Sequence, residues 1–109
     1  MHIHIDTVDT DIVVATPQGS IDCSNADTFG EKFLPLFEQA RAVILDGSQL
    51  AFITSAGLRV LLTAQQKSTP DKPFILCAIN DNIRDVFRVA GLDALFHYAD
   101  NQEQALEQL

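Results

Sequence analysis

From its amino end the chain first alternates. Ile3 and Ile5, with Val8 beyond them, are separated by polar residues, the rhythm of a strand with one covered face. Asp9-Thr10-Asp11 reads as a turn, and Ile12-Val13-Val14-Ala15 opens a second strand that ends by Pro17-Gln18-Gly19, so the two runs predict a hairpin. The period then lengthens. Ala26, Phe29, Phe33, Leu36 and Phe37 fall on one helical stripe behind a Ser24/Asp27 capping box, with Pro35 predicted to kink or shorten the helix. The phenylalanines of that stripe belong to a core face.

Ala42-Val43-Ile44-Leu45 is too short for a helix and apolar throughout, as a strand buried on both faces requires. Asp46 ends it, and residues 46–52 read as a loop. A helix from Ser55 to Lys67 follows, with Leu58, Leu61, Leu62 and Ala64 inside, then a Ser68–Pro73 loop and a second apolar strand, Phe74–Ile79. Asn80-Asp81-Asn82 starts the next helix, whose Ile83, Val86, Phe87 and Ala90 keep the helical spacing until Gly91 stops it. Leu95–Tyr98 predicts a short last strand. Asp100 and Glu103 suggest a capping box before a terminal helix that turns Ala105, Leu106 and Leu109 inward. The order β-β-α-β-α-β-α-β-α predicts an α/β domain over residues 1–109. Its mixed sheet has about four to five strands, an N-terminal hairpin followed by parallel βαβ units, with about four helices.

Charge narrows the partners. Fifteen acidic residues stand against seven basic ones, a net charge of -8, which excludes nucleic acid and anionic lipid as principal partners and favours a basic protein surface. No run is long enough to span a membrane and the first residues carry no secretory signal, so a cytoplasmic location is expected. Cys23 and Cys77 have no metal-ligand spacing and read as reduced thiols. His2 and His4 share one face of the first strand, but no third metal ligand can be nominated, and neither P-loop nor dinucleotide fingerprint is present. No cofactor is expected.

Ile53-Thr54-Ser55-Ala56-Gly57-Leu58-Arg59 carries the most information. It places a serine where an apolar helix begins, at free N–H groups and partial positive charge. Two readings of Ser55 stand side by side: a structural N-cap, or a residue that accepts a phosphate. A hydrolytic nucleophile is disfavoured, because Thr54-Ser55-Ala56-Gly57 lacks the first glycine of a nucleophile elbow and none of His2, His4 and His97 has a recognisable relation to Ser55. Gly57 allows another backbone to approach closely or a helix to pack tightly.

With Asp46 ending the strand before it, Leu50 to Leu58 resembles the signature of STAS domains, and most closely that of the bacterial anti-sigma-factor antagonists of partner-switching systems. Gly19-Ser20-Ile21-Asp22 resembles the family's turn after the second strand, and Arg84-Asp85-Val86-Phe87-Arg88-Val89-Ala90-Gly91-Leu92 its third helix with a Gly-Leu stop. The resemblance implies that Ser55 is phosphorylated by a serine kinase that is also the anti-sigma factor. Two positions depart from the pattern: Thr54 stands where the best-known members have aspartate, and Ala56 where many have a second hydroxyl. Ser55 is thus the implied acceptor, with Thr54 as the alternative.

Asp22, Asp46, Thr54, Ser55, Ala56, Gly57 and Arg59 then form the expected partner surface. For Asp22 a turn role, and for Asp46 bonding to loop N–H groups, stand as structural readings. The unphosphorylated protein is expected to bind the anti-sigma serine kinase, to be released on phosphorylation, and to be restored by a serine phosphatase. It would be a monomer with no catalysis of its own. The alternative is a constitutive STAS scaffold or transporter-complex subunit in which Ser55 is only a helix cap.

Overall fold

The computed structural model describes residues 1–109. β1 (Ile3–Val8) and β2 (Ile12–Pro17) form the predicted antiparallel hairpin, with Ile5 opposite Ala15. Its turn places Asp9 and Thr10 in the left-handed region, φ 50° and 68°, which gives the chain the twist a tight hairpin needs. β3 (Gly19–Ile21) follows, then α1 (Ala26–Phe33) and α2 (Leu36–Gln39), split at Pro35 as its missing N–H predicts. Next come β4 (Ala42–Asp46), β5 (Leu50–Ile53) and α3 (Ser55–Lys67). β6 (Phe74–Cys77), α4 (Asp81–Val89), a 3-10 turn at Asp93–Leu95, β7 (His97–Ala99) and α5 (Gln102–Glu107) complete the chain.

The main sheet has the order β1-β2-β4-β6-β7. Its first pair is antiparallel and the rest are parallel, so the expected mixed α/β sheet is present. The apolar strands are covered on both faces because their side chains alternate between two cores. Val13, Ala15, Val43, Leu45, Phe74 and Leu76 point to a larger core shared with Phe29, Phe33, Leu61 and Phe87. Ile12, Val14, Ala42, Ile44, Ile75 and Cys77 point to a smaller one closed by Ala105 of α5.

Several boundaries differ from the sequence reading. Gly19–Ile21 is a strand rather than only a turn, and within the segment expected to be loop Leu50–Ile53 is its parallel partner, forming a two-stranded sheet beside the main one. The Ser24/Asp27 capping box does not form. Ser24 instead donates both its N–H and its hydroxyl to Asp22 Oδ1, at 2.8 and 2.5 Å, and Asn25 occupies the cap position of α1 without capping it. At α5 the cap is Asn101, whose Oδ1 accepts from Gln104 N–H, one residue beyond the expected Asp100. β6 stops at Cys77, because Ala78 turns into the left-handed region at φ 55°. The last strand begins at His97 rather than Leu95, since Asp93–Leu95 coils into the 3-10 turn.

Candidate functional site

The small β3/β5 sheet positions the site. Ile21, Leu50 and Ile53 are its buried residues, and α3 begins two residues after Ile53. The N–H of Thr54 donates to the Ile21 carbonyl at 2.9 Å, and the Thr54 hydroxyl reaches the same oxygen at 3.4 Å. Thr54 is therefore the residue at the cap position, and its side chain is turned back to β3 instead of into the helix. Ser55 is the first helical residue, so the reading of Ser55 as the N-cap is corrected: it is exposed and its hydroxyl makes no hydrogen bond. Leu58 N–H closes the first helical bond, to Thr54. The N–H groups of Ser55, Ala56 and Gly57 accordingly have no acceptor within the chain, and no acidic side chain stands in the first turn.

Gly57 explains how the helix start comes so close to the small sheet. A Cβ there would lie 2.6 Å from Ile21 Cγ2 and 2.6 Å from Ile53 Cγ1. The close approach that Gly57 permits is thus made inside the molecule, by two isoleucines. Asn80 ties the other side: its Oδ1 caps α4 by accepting from Ile83 N–H, while its Nδ2 donates to the carbonyls of Leu50 and Ala51.

Asp22 lies in the loop after β3, next to the Ile21 carbonyl that holds Thr54. The Ser24 hydroxyl and then the Ser24 N–H hold its carboxyl below the usual carboxylate range. Asn25 braces the loop, accepting from Asp22 N–H at 2.8 Å and donating to the Ser20 carbonyl at 2.8 Å. Arg59, one turn into α3, is exposed and has no ion-pair partner. It borders a shallow groove between α1 and α3 that Cys23, Asp27 and Ala56 also line. Asp46 stands apart from these residues in burial. It is 7% exposed, with Oδ1 accepting from Ser48 N–H and Oδ2 from the Gln102 amide, and so it fastens a loop and α5.

The sequence reading missed an apolar surface beside Ser55. Ser55, Leu58, Val86 and Val89 line a groove of about 360 Å³ between α3 and α4, with Asp85 at its rim. Val89 is 90% exposed, and Phe52 on β5 is 43% exposed. The signal was present in α4, where Val89 is apolar yet lies outside the stripe of Ile83, Val86, Phe87 and Ala90. His97 sits beside Gln65 and Ser68, at the far end of α3 from Ser55. No group of three His, Cys, Asp or Glu side chains is arranged to hold a metal ion. No helix is long and apolar enough to cross a membrane.

Comparison with known proteins agrees with this fold. The STAS domain family model matches residues 4–105. A Bordetella bronchiseptica protein bearing the name anti-sigma factor antagonist BtrV is 32% identical over 107 residues, covering 96% of this chain and 91% of its own. An anti-sigma factor antagonist from Mycobacterium paratuberculosis has the same fold, with a TM-score of 0.88 at 22% identity over 98% of this chain and 92% of that one. The anti-sigma factor antagonist SpoIIAA is similar in fold in its unphosphorylated form, with a TM-score of 0.78 at 20% identity over 98% of this chain and 95% of that one. Its phosphorylated form, from Bacillus, gives 0.71 at 20% identity over 98% of each chain.

Proposed function

The chain belongs to the STAS domain family, among anti-sigma factor antagonists, and on that premise we propose that it is a binding switch rather than an enzyme. In its unphosphorylated form it binds an anti-sigma factor serine kinase through the start of α3, the Asp22 loop and the neighbouring apolar groove, in the cytoplasm. Transfer of phosphate from ATP to Ser55 breaks that complex, and a serine phosphatase restores it.

One observation carries this reading: an exposed, unbonded serine hydroxyl at the first position of a helix whose leading N–H groups are free. Phosphoserine brings about -1.5 to -2 charges and three acceptor oxygens. Within the chain those oxygens meet N–H donors and the positive end of α3, an interaction of about 0.3–1 kcal/mol in favour of the modified state. Arg59 adds a cation one helical turn away. The fold therefore tolerates the phosphate. A partner surface closed over Ser55 would not, since desolvating an unpaired charge costs several kcal/mol, and even ~3 kcal/mol weakens a complex about a hundredfold. Asp46, buried and fully bonded, supports the surface from behind in this scheme, as Gly57 does.

The experiment is to mix purified protein with the cognate kinase and ATP, and to compare wild type with Ser55→Ala and Ser55→Asp. Phosphate is expected on Ser55 of the wild type and absent from Ser55→Ala, which binds like the unmodified protein. Ser55→Asp binds about tenfold or more weakly, because a single carboxylate reproduces part of the phosphate charge. Equal binding by all three, with no phosphate gained, would remove the switch and leave a constitutive scaffold or transporter-complex subunit.

A further inference from the structure

The main sheet has two open edges, and they differ. β7 is only three residues long, a common way of blunting an edge. β1 has six residues, contains neither proline nor lysine, and exposes His4, Ile5, Asp6 and Thr7 in succession, with Ile5 42% exposed. A strand of that kind is a template for pairing with another strand.

Which of its main-chain groups are free follows from the hairpin. Gln18 N–H donates to the His2 carbonyl, and β1 pairs with β2 so that Ile3 faces Pro17 and Ile5 faces Ala15. His2, His4, Asp6 and Val8 therefore spend their N–H and C=O groups on β2, and those of Ile3, Ile5 and Thr7 point outward from the sheet. These three residues are symmetric about Ile5. Two antiparallel copies of β1 related by a two-fold axis at Ile5 set Ile5 against Ile5, Ile3 against Thr7 and Thr7 against Ile3. Each facing pair exchanges two hydrogen bonds, about six in all.

The side chains select that register. With the axis at Ile5, His4 of each copy stands opposite Asp6 of the other, in the non-hydrogen-bonded positions where Cα atoms come within about 4.5 Å. Moving the axis by one residue toward either end sets His4 against His4 or Asp6 against Asp6. The geometry points to β1 as a homodimer interface: a second copy of this chain adds edge to edge, and the two five-stranded sheets become one continuous sheet of ten strands. This departs from the monomer expected from the sequence and draws on none of the residues around Ser55. An interface made of one strand from each copy falls in the small, weakly associating class.

The test is sedimentation velocity over a range of protein concentration at about 0.15 M salt, where repulsion between two chains of charge -8 is largely screened. The apparent mass is expected to rise from 12.0 kDa toward twice that value. Amide exchange at Ile3, Ile5 and Thr7 should slow as concentration rises, while His4 and Asp6, already bonded to β2, should not respond. Ile5→Pro removes an outward N–H without touching the β2 ladder and should hold the protein monomeric at every concentration. His4→Asp should weaken association about tenfold, and adding Asp6→His to the same chain should restore it, because the exchanged pair is again complementary. Those two charge variants keep the test valid if the proline variant fails to fold. A mass fixed at 12.0 kDa throughout, or a dimer that survives both Ile5→Pro and His4→Asp, overturns the assignment.

Discussion

Gly57→Ala and Gly30→Ala are the same chemical change in two buried helical positions, and the structure gives them opposite signs. At Gly30, in α1, an added Cβ would sit 3.6 Å from Val60 Cγ1 and 3.9 Å from Leu34 Cδ1, ordinary contact distances. Alanine there gains helix propensity and restricts the unfolded chain, a stabilisation of about 0.5–1 kcal/mol. At Gly57 the same atom would lie 2.6 Å from both Ile21 Cγ2 and Ile53 Cγ1, and 3.0 Å from Ile21 Cβ. Carbon atoms prefer about 3.5–4.0 Å, so the first turn of α3 and the β3/β5 sheet must separate by about 1 Å. Both isoleucines are fully buried and, being β-branched, have little rotamer freedom with which to yield.

Overpacking of this kind costs about 1–3 kcal/mol, and the propensity gain of about 0.8–1 kcal/mol offsets only part of it. With two contacts at 2.6 Å against buried β-branched side chains, the cost lies in the upper part of the overpacking range, about 2–3 kcal/mol. A net loss of about 1–2 kcal/mol results, which for a domain of this size lowers Tm by about 4–10 °C. Thermal and urea unfolding of the two variants beside wild type make the measurement, with Gly30→Ala expected to melt a few degrees higher. If Gly57→Ala melts at or above wild type, the tight seat of α3 on the small sheet is refuted. If both variants shift the same way, the contact distances do not govern the outcome.

Two further outcomes test the loop and the thiols. Ser24→Ala removes the hydroxyl chiefly responsible for holding Asp22 below its ordinary 3.8, so the Asp22 carboxyl should titrate at higher pH in an NMR titration. A depressed carboxylate contributes stability that is present above its unfolded pKa and lost as pH falls through its folded pKa, so the variant should also lose less stability on acidification; an unchanged midpoint would refute the Ser24 contact. Burial, and then the Asp46 charge, push the Cys77 thiol up to about 12, whereas Cys23 is exposed. A thiol reagent should modify one cysteine of the native protein and both after denaturation. Labelling of Cys77 in the native state at the rate of Cys23 would contradict the closed smaller core.

Much of the architecture was legible because it rests on local periodicity. The two-sided burial of β4 and β6 appears as unbroken apolar runs. Pro35 splits its helix, Asn80 caps α4, and Gly91 ends that helix at φ 73°. The small sheet was not legible as a pair of strands. Three residues, Gly19–Ile21, are too few to show an alternation, and Leu50–Ile53 is buried only at its two ends, which no period-two pattern describes. Its stability comes from pairing across the sequence and from the packing of α3, which local propensity does not record. The displaced caps have a local cause. Serine, asparagine and aspartate compete for the same N–H groups: before α1 the Asp22 carboxylate takes the Ser24 N–H and hydroxyl, and before α5 Asn101 takes the Gln104 N–H. At the candidate site the sequence pointed to Ser55, the Asp22 loop and Arg59, but not to the burial of Asp46, which depends on Gln102 of α5, or to the exposure of Phe52 and Val89, which depends on how α4 lies against β5.

The small sheet also explains why a charge added at Ser55, on the reading proposed here, would change binding without changing the fold. Each segment around the serine is held by contacts that do not involve its hydroxyl. Thr54 is bonded to Ile21, Gly57 is seated on Ile21 and Ile53, and Asn25 clamps the Asp22 loop to Ser20. Asn80 joins α4 to β5. Modification therefore breaks none of them, and it occupies N–H groups that had no acceptor. What it alters is the outer surface, where an exposed polar group lies between the apolar Val86/Val89 groove and the Asp22 loop. A partner that covers the groove must also cover the serine, so the surface that favours docking in one state opposes it in the other. Local rigidity is what makes that opposition effective: if the start of α3 could unwind and turn the phosphate toward solvent, the complex would survive modification.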